Sequence, residues 1–330
     1  MTAMSYVDRI RTYRPPQRYI PVLATLLLLV VMYLIGASQY RAFSNIQVVF
    51  NVFIDNGFLL IVAVGMTFVI LTGGIDLSVG SVVAMTTMIA SSMLENGAWP
   101  AWFVLLVCLS VGPALGFVMG CIIHFFQIQP FIVTLAGLFF ARGVCTWINT
   151  ASISITDPFW TAMAQERIRF GAKNFISPSV VIAFAVVAIA FFVLAYTRLG
   201  RNTYAIGGNQ QSALLMGLPV GRTKIAVYTI SGLCSALGGI VLSFYTLSGN
   251  PLISIGMELD AIAAVVIGGT LLTGGSGYVL GTVLGVLVLG VIQTLITFDG
   301  SLSSWWTKIV IGALLFAFIL LQRLLNLRNR

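Results

Sequence analysis

Charge is what this sequence has least of. Only 8% of its 330 residues are Asp, Glu, Lys or Arg, against roughly 25% in globular proteins. So few charges cannot cover a water-facing surface of this size. A soluble fold is excluded, and with it DNA readers, secreted disulfide scaffolds and disordered hubs. Histidine is nearly absent too. His124 stands alone, so no histidine cluster can hold a metal. Cys108, Cys121, Cys145 and Cys234 form no C-x-x-C pair and lie in apolar runs, where a thiol packs as a small hydrophobe. No G-x-x-x-x-G-K-[ST] occurs, so the chain carries no P-loop for ATP. What the sequence has is apolar surface: 59% hydrophobic residues and a mean hydropathy of +1.03.

This composition describes an all-α polytopic membrane protein with spans of about 20 residues. Ten spans are predicted, at 20–37, 57–73, 77–93, 101–124, 130–148, 178–197, 225–247, 256–273, 276–297 and 305–322. Local chemistry marks the gaps. Gly73-Gly74 separates the second and third spans, Glu95-Asn96-Gly97 the third and fourth, and Gly274-Gly275-Ser276-Gly277 the eighth and ninth. Pro130 and Pro178 open the fifth and sixth, where a missing N–H costs nothing. The first run follows four arginines, but it is long for a signal peptide and has no clear A-x-A cleavage site.

Basic residues set the orientation. With the N-terminus cytoplasmic, eleven fall inside: Arg9, Arg11, Arg14, Arg18, Arg198, Arg201, Arg222, Lys224, Arg323, Arg328 and Arg330. Five fall outside: Arg41, Arg167, Arg169, Lys173 and Lys308. That bias places both termini in the cytoplasm. The chain then divides into a basic segment 1–19, one transmembrane domain 20–323 with a cytoplasmic loop 198–224, and a basic tail 324–330. Three of the five outer exceptions share the loop 149–177, which has room for a re-entrant element. All six tryptophans are expected at or beyond the outer interface, where an indole finds both apolar contact and a partner for its N–H. The net charge of +8 therefore reports membrane orientation and not nucleic-acid binding.

Residues 63–82 align without gaps to 264–283, with eight of 20 positions identical and L-T-G-G shared. Such duplication is common in transporters, whose halves enclose a pathway. The other reading is two Gly-rich breaks alike by composition. Gly112, Gly116 and Gly120, and again Gly277, Gly281 and Gly285, recur every four residues, which suits close helix packing within the chain or against a partner. Arg142 falls about 18 Å along its span and is expected to pair with Asp55, Glu258 or Asp260. The pair either fixes helices or serves gating or solute contact. Asp76 and Ser78 suit capping of the third span's N-terminus, with direct substrate contact as the alternative. Asn56, Asn149, Gln293 and Thr294 are polar candidates for a pathway lining, and Glu258 and Asp260 join Arg142 as gating candidates.

The loop 198–224 is basic at both ends. Asn209 is a good N-cap and Gly217 a good C′ residue, so Gln210–Met216 is predicted as a short helix behind a break at Gly207-Gly208. Such a helix suits a groove on a cytosolic partner, though an ordinary surface loop reads equally well.

T-G-G-I-D-L-S-V-G-S (72–81), Y-A-I-G-G-N (204–209) and E-L-D-A-I-A-A-V-V-I-G-G-T (258–270) resemble the permease subunits of bacterial ABC importers for ribose, xylose, arabinose and galactofuranose. The likeness runs over roughly 20–323. F-D-G-S-L-S-S-W-W-T-K-I (298–309) and T-L-A-G-L-F-F-A-R-G-V (134–144) are most similar to a galactofuranose importer permease. The resemblance implies a multi-pass subunit of the bacterial inner membrane that is not itself an enzyme. It implies a second permease subunit (a similar chain or a copy of this one), an ABC ATPase that uses ATP and Mg, and a periplasmic sugar-binding protein. No cofactor is expected on this chain. By the same likeness, Gly208, Asn209, Gln210, Ser212, Ala213, Leu214 and Gly217 belong to the segment that couples to the ATPase. An ion-coupled secondary transporter of a small polar solute is the competing class. Its carboxylates would be expected near the midplane, whereas these sit near span ends.

Overall fold

The computed structural model describes residues 20–170, 174–301, 303 and 305–327. Of the expected basic segments, residues 1–19, Lys173, Arg328 and Arg330 lie outside the described residues. The elements run α1 (Ile20–Gln39), a 3-10 turn (Arg41–Ser44), α2 (Ile46–Leu71), α3 (Val79–Glu95), α4 (Ala101–Phe125), α5 (Pro130–Ile148), β1 (Ile153–Ser154), α6 (Pro158–Gln165), β2 (Ile168–Phe170), β3 (Asn174–Ile176), α7 (Pro178–Tyr196), α8 (Arg198–Gly208), α9 (Gln210–Leu215), α10 (Val220–Thr246), β4 (Ser248–Gly249), α11 (Met257–Ile267), α12 (Val279–Asp299) and α13 (Trp305–Leu327).

A helix lies at each of the ten expected places, and they differ in length. Among the described residues, eight helices are long and apolar enough to cross a membrane: α1, α2, α4, α5, α7, α10, α12 and α13. The other two stop short, α3 at 17 residues and α11 at 11. For α11 the cause is local. Gly268 and Gly269 end it, the latter at φ +94°, although the apolar run continues past them. At about 1.5 Å per residue it is only about 17 Å long.

The chain then proceeds without helix to Val279, and its backbone groups find partners on distant elements. Thr25 on α1 donates to the Ile267 carbonyl. Gln322 on α13 donates to Val266 O (3.2 Å) and Thr270 O (3.4 Å). The Tyr204 hydroxyl donates to Gly277 O (2.9 Å). Irregular backbone survives at membrane depth only where protein satisfies it in this way.

The innermost helix is α2, buried continuously from Leu59 to Leu71; a helix apolar on every side belongs in the middle of a bundle. It begins eleven residues before the predicted span because Gln47, Asn51 and Asp55 depress the hydropathy there. Asn45 caps its start, and Gln47 bonds to Asn51 (2.8 Å) and to both backbone groups of Phe175 (3.1 and 2.9 Å). Against it lies α10, whose Gly232, Tyr228 and Ile225 receive the ladder Gly112, Gly116 and Gly120 of α4 at backbone contact. Gly281 and Gly285 of α12 meet Gly268 and Ala264 in the same manner. Both ladders thus serve contacts within the chain.

The all-α expectation needs a small correction. Segment 149–177 pairs β1 with β4 (Ile153 opposite Gly249) and folds β2 on β3 (Arg169 opposite Phe175), with α6 between. Trp160 on α6 is not interfacial. It is fully buried and donates from Nε1 to Ser243 Oγ on α10 (2.9 Å). The other five tryptophans are exposed, or lie among exposed residues at helix ends. The pairing of β1 with β4 puts segment 149–177 at the C-terminal end of α10, and α9 lies before its other end, about 40 Å away.

Candidate functional site

Two features at opposite ends of α10 carry chemistry. The first is built around α9. Thr197 caps α8, accepting from Gly200 N–H (3.3 Å). This helix runs through Gly207-Gly208, where a break is predicted. The Asn209 amide still donates to Ala205 O (3.2 Å), so the ladder continues, and the turn falls one residue later. Asn209 Oδ1 accepts from Ser212 N–H (2.8 Å) and starts α9. Gly217, at φ +75°, ends it. Its N–H reaches Leu214 O (2.9 Å), and Leu218 N–H reaches Ala213 O (3.1 Å), the glycine-capped closure of a helix end.

One expected coupling residue points the wrong way. Ala213 is fully buried in a small cluster with Ile206 and Val220. Gln210 is tied to Lys224 Nζ (2.7 Å). The outward tip consists of Leu214, Leu215 and Met216, which are 62%, 84% and 69% exposed.

Behind α9 three Gly-Gly pairs meet. Leu71 O accepts from Gly275 N–H (2.9 Å). A Cβ on Gly207 would overlap Leu71 O and Gly275 N, and one on Gly274 would stand 2.7 Å from Gly73 N. A Cβ on Gly275 would likewise stand 2.7 Å from Gly208 N. The first matched pair of glycines shares a left-handed backbone state, Gly73 at φ +76° and Gly274 at φ +86°, whereas Gly275 is at φ +76° and its counterpart Gly74 is not left-handed. So the two L-T-G-G breaks touch each other and the root of α9.

Near this junction lies Asp76, fully buried. Its carboxylate accepts from Ser78 N–H (2.9 Å), Ser78 Oγ (2.6 Å) and Ser231 Oγ on α10 (2.7 Å). Asp76 thus holds the turn into α3 and joins it to α10. Ser78 sits at the N-cap position but makes no capping bond, because its backbone is already helical (φ −79°, ψ −15°) rather than extended. Ser231 was not legible as a partner, lying 155 residues away.

The second feature is a cavity of about 390 Å³ between α2, α11, α12 and α13. It brings together three of the predicted pathway residues: Asn56, Asp260 and Gln293. Leu59, Leu289, Trp305, Thr307 and Lys308 also line it. Asp260 pairs with Lys308 (2.6 Å), the one ion pair among the described residues.

The predicted ion pair of Arg142 is therefore corrected. Arg142 donates from Nη1 to the carbonyls of Pro251 (2.6 Å) and Ile253 (2.9 Å), pinning the segment before α11. Among the described residues none of its expected partners reaches ion-pair distance, although Glu258 lies near enough to feel the Arg142 charge. Asp55 accepts from the Tyr245 hydroxyl (3.1 Å), and Glu258 lies against Gly80 of α3. Thr294 donates to Gly290 O in its own helix (2.8 Å) and is not among the lining residues. Asn149 accepts from Ala151 N–H in a turn (2.9 Å). Sequence reasoning missed Lys308 because it was counted as an orientation marker only. Among the described residues no group of three His, Cys, Asp or Glu could hold a metal.

Comparison with known proteins agrees with this architecture. Residues 48–319 match the family described as the permease component of branched-chain amino acid transport systems. The chain belongs to this permease family. The permease is 46% identical over 307 residues to the inner membrane ABC transporter permease protein YjfF of Escherichia coli, covering 93% of each chain. It is 40% identical to the fructose import permease protein FruG of Bifidobacterium longum, over 94% of this chain and 93% of the relative. Against the ribose import permease protein RbsC of Escherichia coli the identity is 37%, over 90% and 92%.

Proposed function

We propose that this permease is a bacterial inner-membrane subunit of an ATP-driven importer, forming the path for a monosaccharide. The carrying observation is α9, a six-residue helix capped at both ends that presents Leu214, Leu215 and Met216 to solvent. Loose apolar side chains on a water-facing tip suit a partner's groove, and the chain has no nucleotide-binding motif of its own. The partner is then an ABC ATPase that hydrolyses ATP with Mg. Closure of its cassettes would move α9, and the membrane halves would follow through differential contacts in the two states. A second permease subunit and a periplasmic sugar-binding protein complete the assembly.

The relatives named for fructose and ribose support a sugar as cargo. The stretches 134–144 and 298–309 support galactofuranose among sugars. Eleven basic residues on one side support cytoplasmic termini.

The test is uptake in proteoliposomes holding the permease with its ATPase, second permease and binding protein. ATP-dependent accumulation of the sugar that the binding protein retains is expected. Replacing Asn209–Gly217 with a Gly/Ser stretch should release the ATPase in a pull-down. Uptake driven by a proton gradient without ATP would replace this reading with the secondary-transporter class. A binding protein that retains ribose and no furanose hexose would remove galactofuranose alone.

A further inference from the structure

We infer that the cavity between α2, α11, α12 and α13 is a binding subsite for one neutral monosaccharide, lined by Asn56, Gln293, Trp305 and Thr307 beside the Asp260–Lys308 pair. The inference rests on the permease reading for its physiological cargo, but the site itself follows from the side chains present.

Unoccupied hydrogen-bonding capacity comes first. Asn56, on the cavity wall, donates to Val52 O (2.9 Å), and its Oδ1 is committed to no described donor. The Gln293 amide and the Thr307 hydroxyl bond to none of the described residues. An amide in contact with lipid tails would be left unsatisfied at a cost of several kcal/mol. An ion pair there would be costly as well. A lining of this kind belongs against water or a polar ligand.

The charge pattern then selects the ligand. Both oxygens of Asp260 are bonded by Lys308 Nζ (2.8 and 2.6 Å). Each charge cancels the other, so the cavity offers no net field to hold an ion. It does offer amide donors and acceptors, a hydroxyl and the third N–H of Lys308, which match the alternating hydroxyls of a sugar. The Trp305 ring, 76% exposed, supplies an apolar plane for the C–H face. A volume of about 390 Å³ sits at the small end of the roughly 300–1,000 Å³ range of ligand pockets. That suits one sugar ring and not an oligosaccharide.

Position completes the case. Asp260, Gln293 and Lys308 lie within about two turns of the ends of α11, α12 and α13, all at the end of the bundle opposite α9. A sugar handed over on that side would meet this cavity before it reached the central helices.

The test uses the full-length permease with Gln293→Cys, a substitution at an exposed residue, expressed in intact cells. A charged, membrane-impermeant methanethiosulfonate reagent is expected to label it. Millimolar D-ribose, D-fructose or D-galactose should slow that labelling severalfold, and glycerol at equal osmolarity should not. In the reconstituted importer, Gln293→Leu and Trp305→Ala should each cut sugar uptake about tenfold, as expected for one lost contact to a polar ligand. Labelling by membrane-permeant N-ethylmaleimide alone would show that the residue is reached from the other side of the membrane, and labelling by neither reagent that it faces lipid; either result would overturn the proposal. So would labelling that none of the three sugars slows, together with wild-type uptake by both variants. Sugar protection in an assembly that shows no ATP-driven uptake would uphold the subsite while removing the importer reading.

Discussion

At the residue scale, the informative side chains are those whose partners lie far away in sequence. Asp76 receives three donors and meets no cation among the described residues. Replacing it with Leu orphans two hydroxyls and an amide, each worth about 1–3 kcal/mol when buried. Asp76→Leu should therefore lower the melting temperature of the detergent-purified permease sharply. Asp76→Asn, whose amide still accepts and whose neighbours are hydroxyls free to rotate, should lose much less.

Arg142→Met removes two charge-assisted bonds to Pro251 and Ile253, each worth about 1.5–3 kcal/mol. The expected readout is faster proteolytic cutting within 250–256. An unchanged digestion pattern would show that Arg142 does not pin the segment. The sequence placed Arg142 correctly in a span but paired it by sign of charge. Carbonyl acceptors are invisible to that logic, because every residue has one.

At the scale of elements, α9 was legible and α11 was not, for a single physical reason. Asn209 and Gly217 act on amides and carbonyls within four residues, so cap chemistry can be read locally. The end of α11 depends on Thr25, Tyr204 and Gln322, which belong to α1, α8 and α13. Hydropathy alone runs on through 256–273 as if the helix did. For α8 the error was the reverse, because Gly207-Gly208 looked like a break while the ladder passed through it.

Those two glycines make a paired prediction. Gly207→Ala drives a methyl into Leu71 O and Gly275 N, whereas Gly208→Ala meets nothing within 4 Å. The first should destabilise by about 1–3 kcal/mol and impair transport. The second should be neutral, or stabilise α8 by up to about 1 kcal/mol. Thermal unfolding of the two variants side by side decides it, and equal behaviour would count against the packed junction.

At the scale of the molecule, orientation is open to direct measurement. The exposed tips Leu215 and Ile168 lie at opposite ends of α10's length. With a membrane-impermeant thiol reagent on intact cells, Ile168→Cys should react at once and Leu215→Cys only after permeabilisation. Cys108, Cys145 and Cys234 are buried and should stay silent, and Cys121→Ser removes the remaining background. Reversed labelling would invert the topology drawn from the arginines.

The overall plan of apolar helices could be read from composition, and the short helix α9 from its caps. The assembly of β1 with β4 and α6 at the C-terminal end of α10 could not, since two-residue strands leave no pattern. The cavity was legible only as scattered polar residues, three of which the fold gathers.

The meeting of the three Gly-Gly pairs has a mechanical meaning. Most contacts between helices are cushioned, because side chains can change rotamer and absorb a small shift. Here backbone bears on backbone from the root of α9 to both breaks of the repeat, so there is no rotamer to take up slack. A linkage of this kind works without backlash: a sideways step of α8 beyond ordinary van der Waals clearance must displace residue 71 or residue 275 by a comparable step. Both L-T-G-G breaks would then receive the same motion at the same moment.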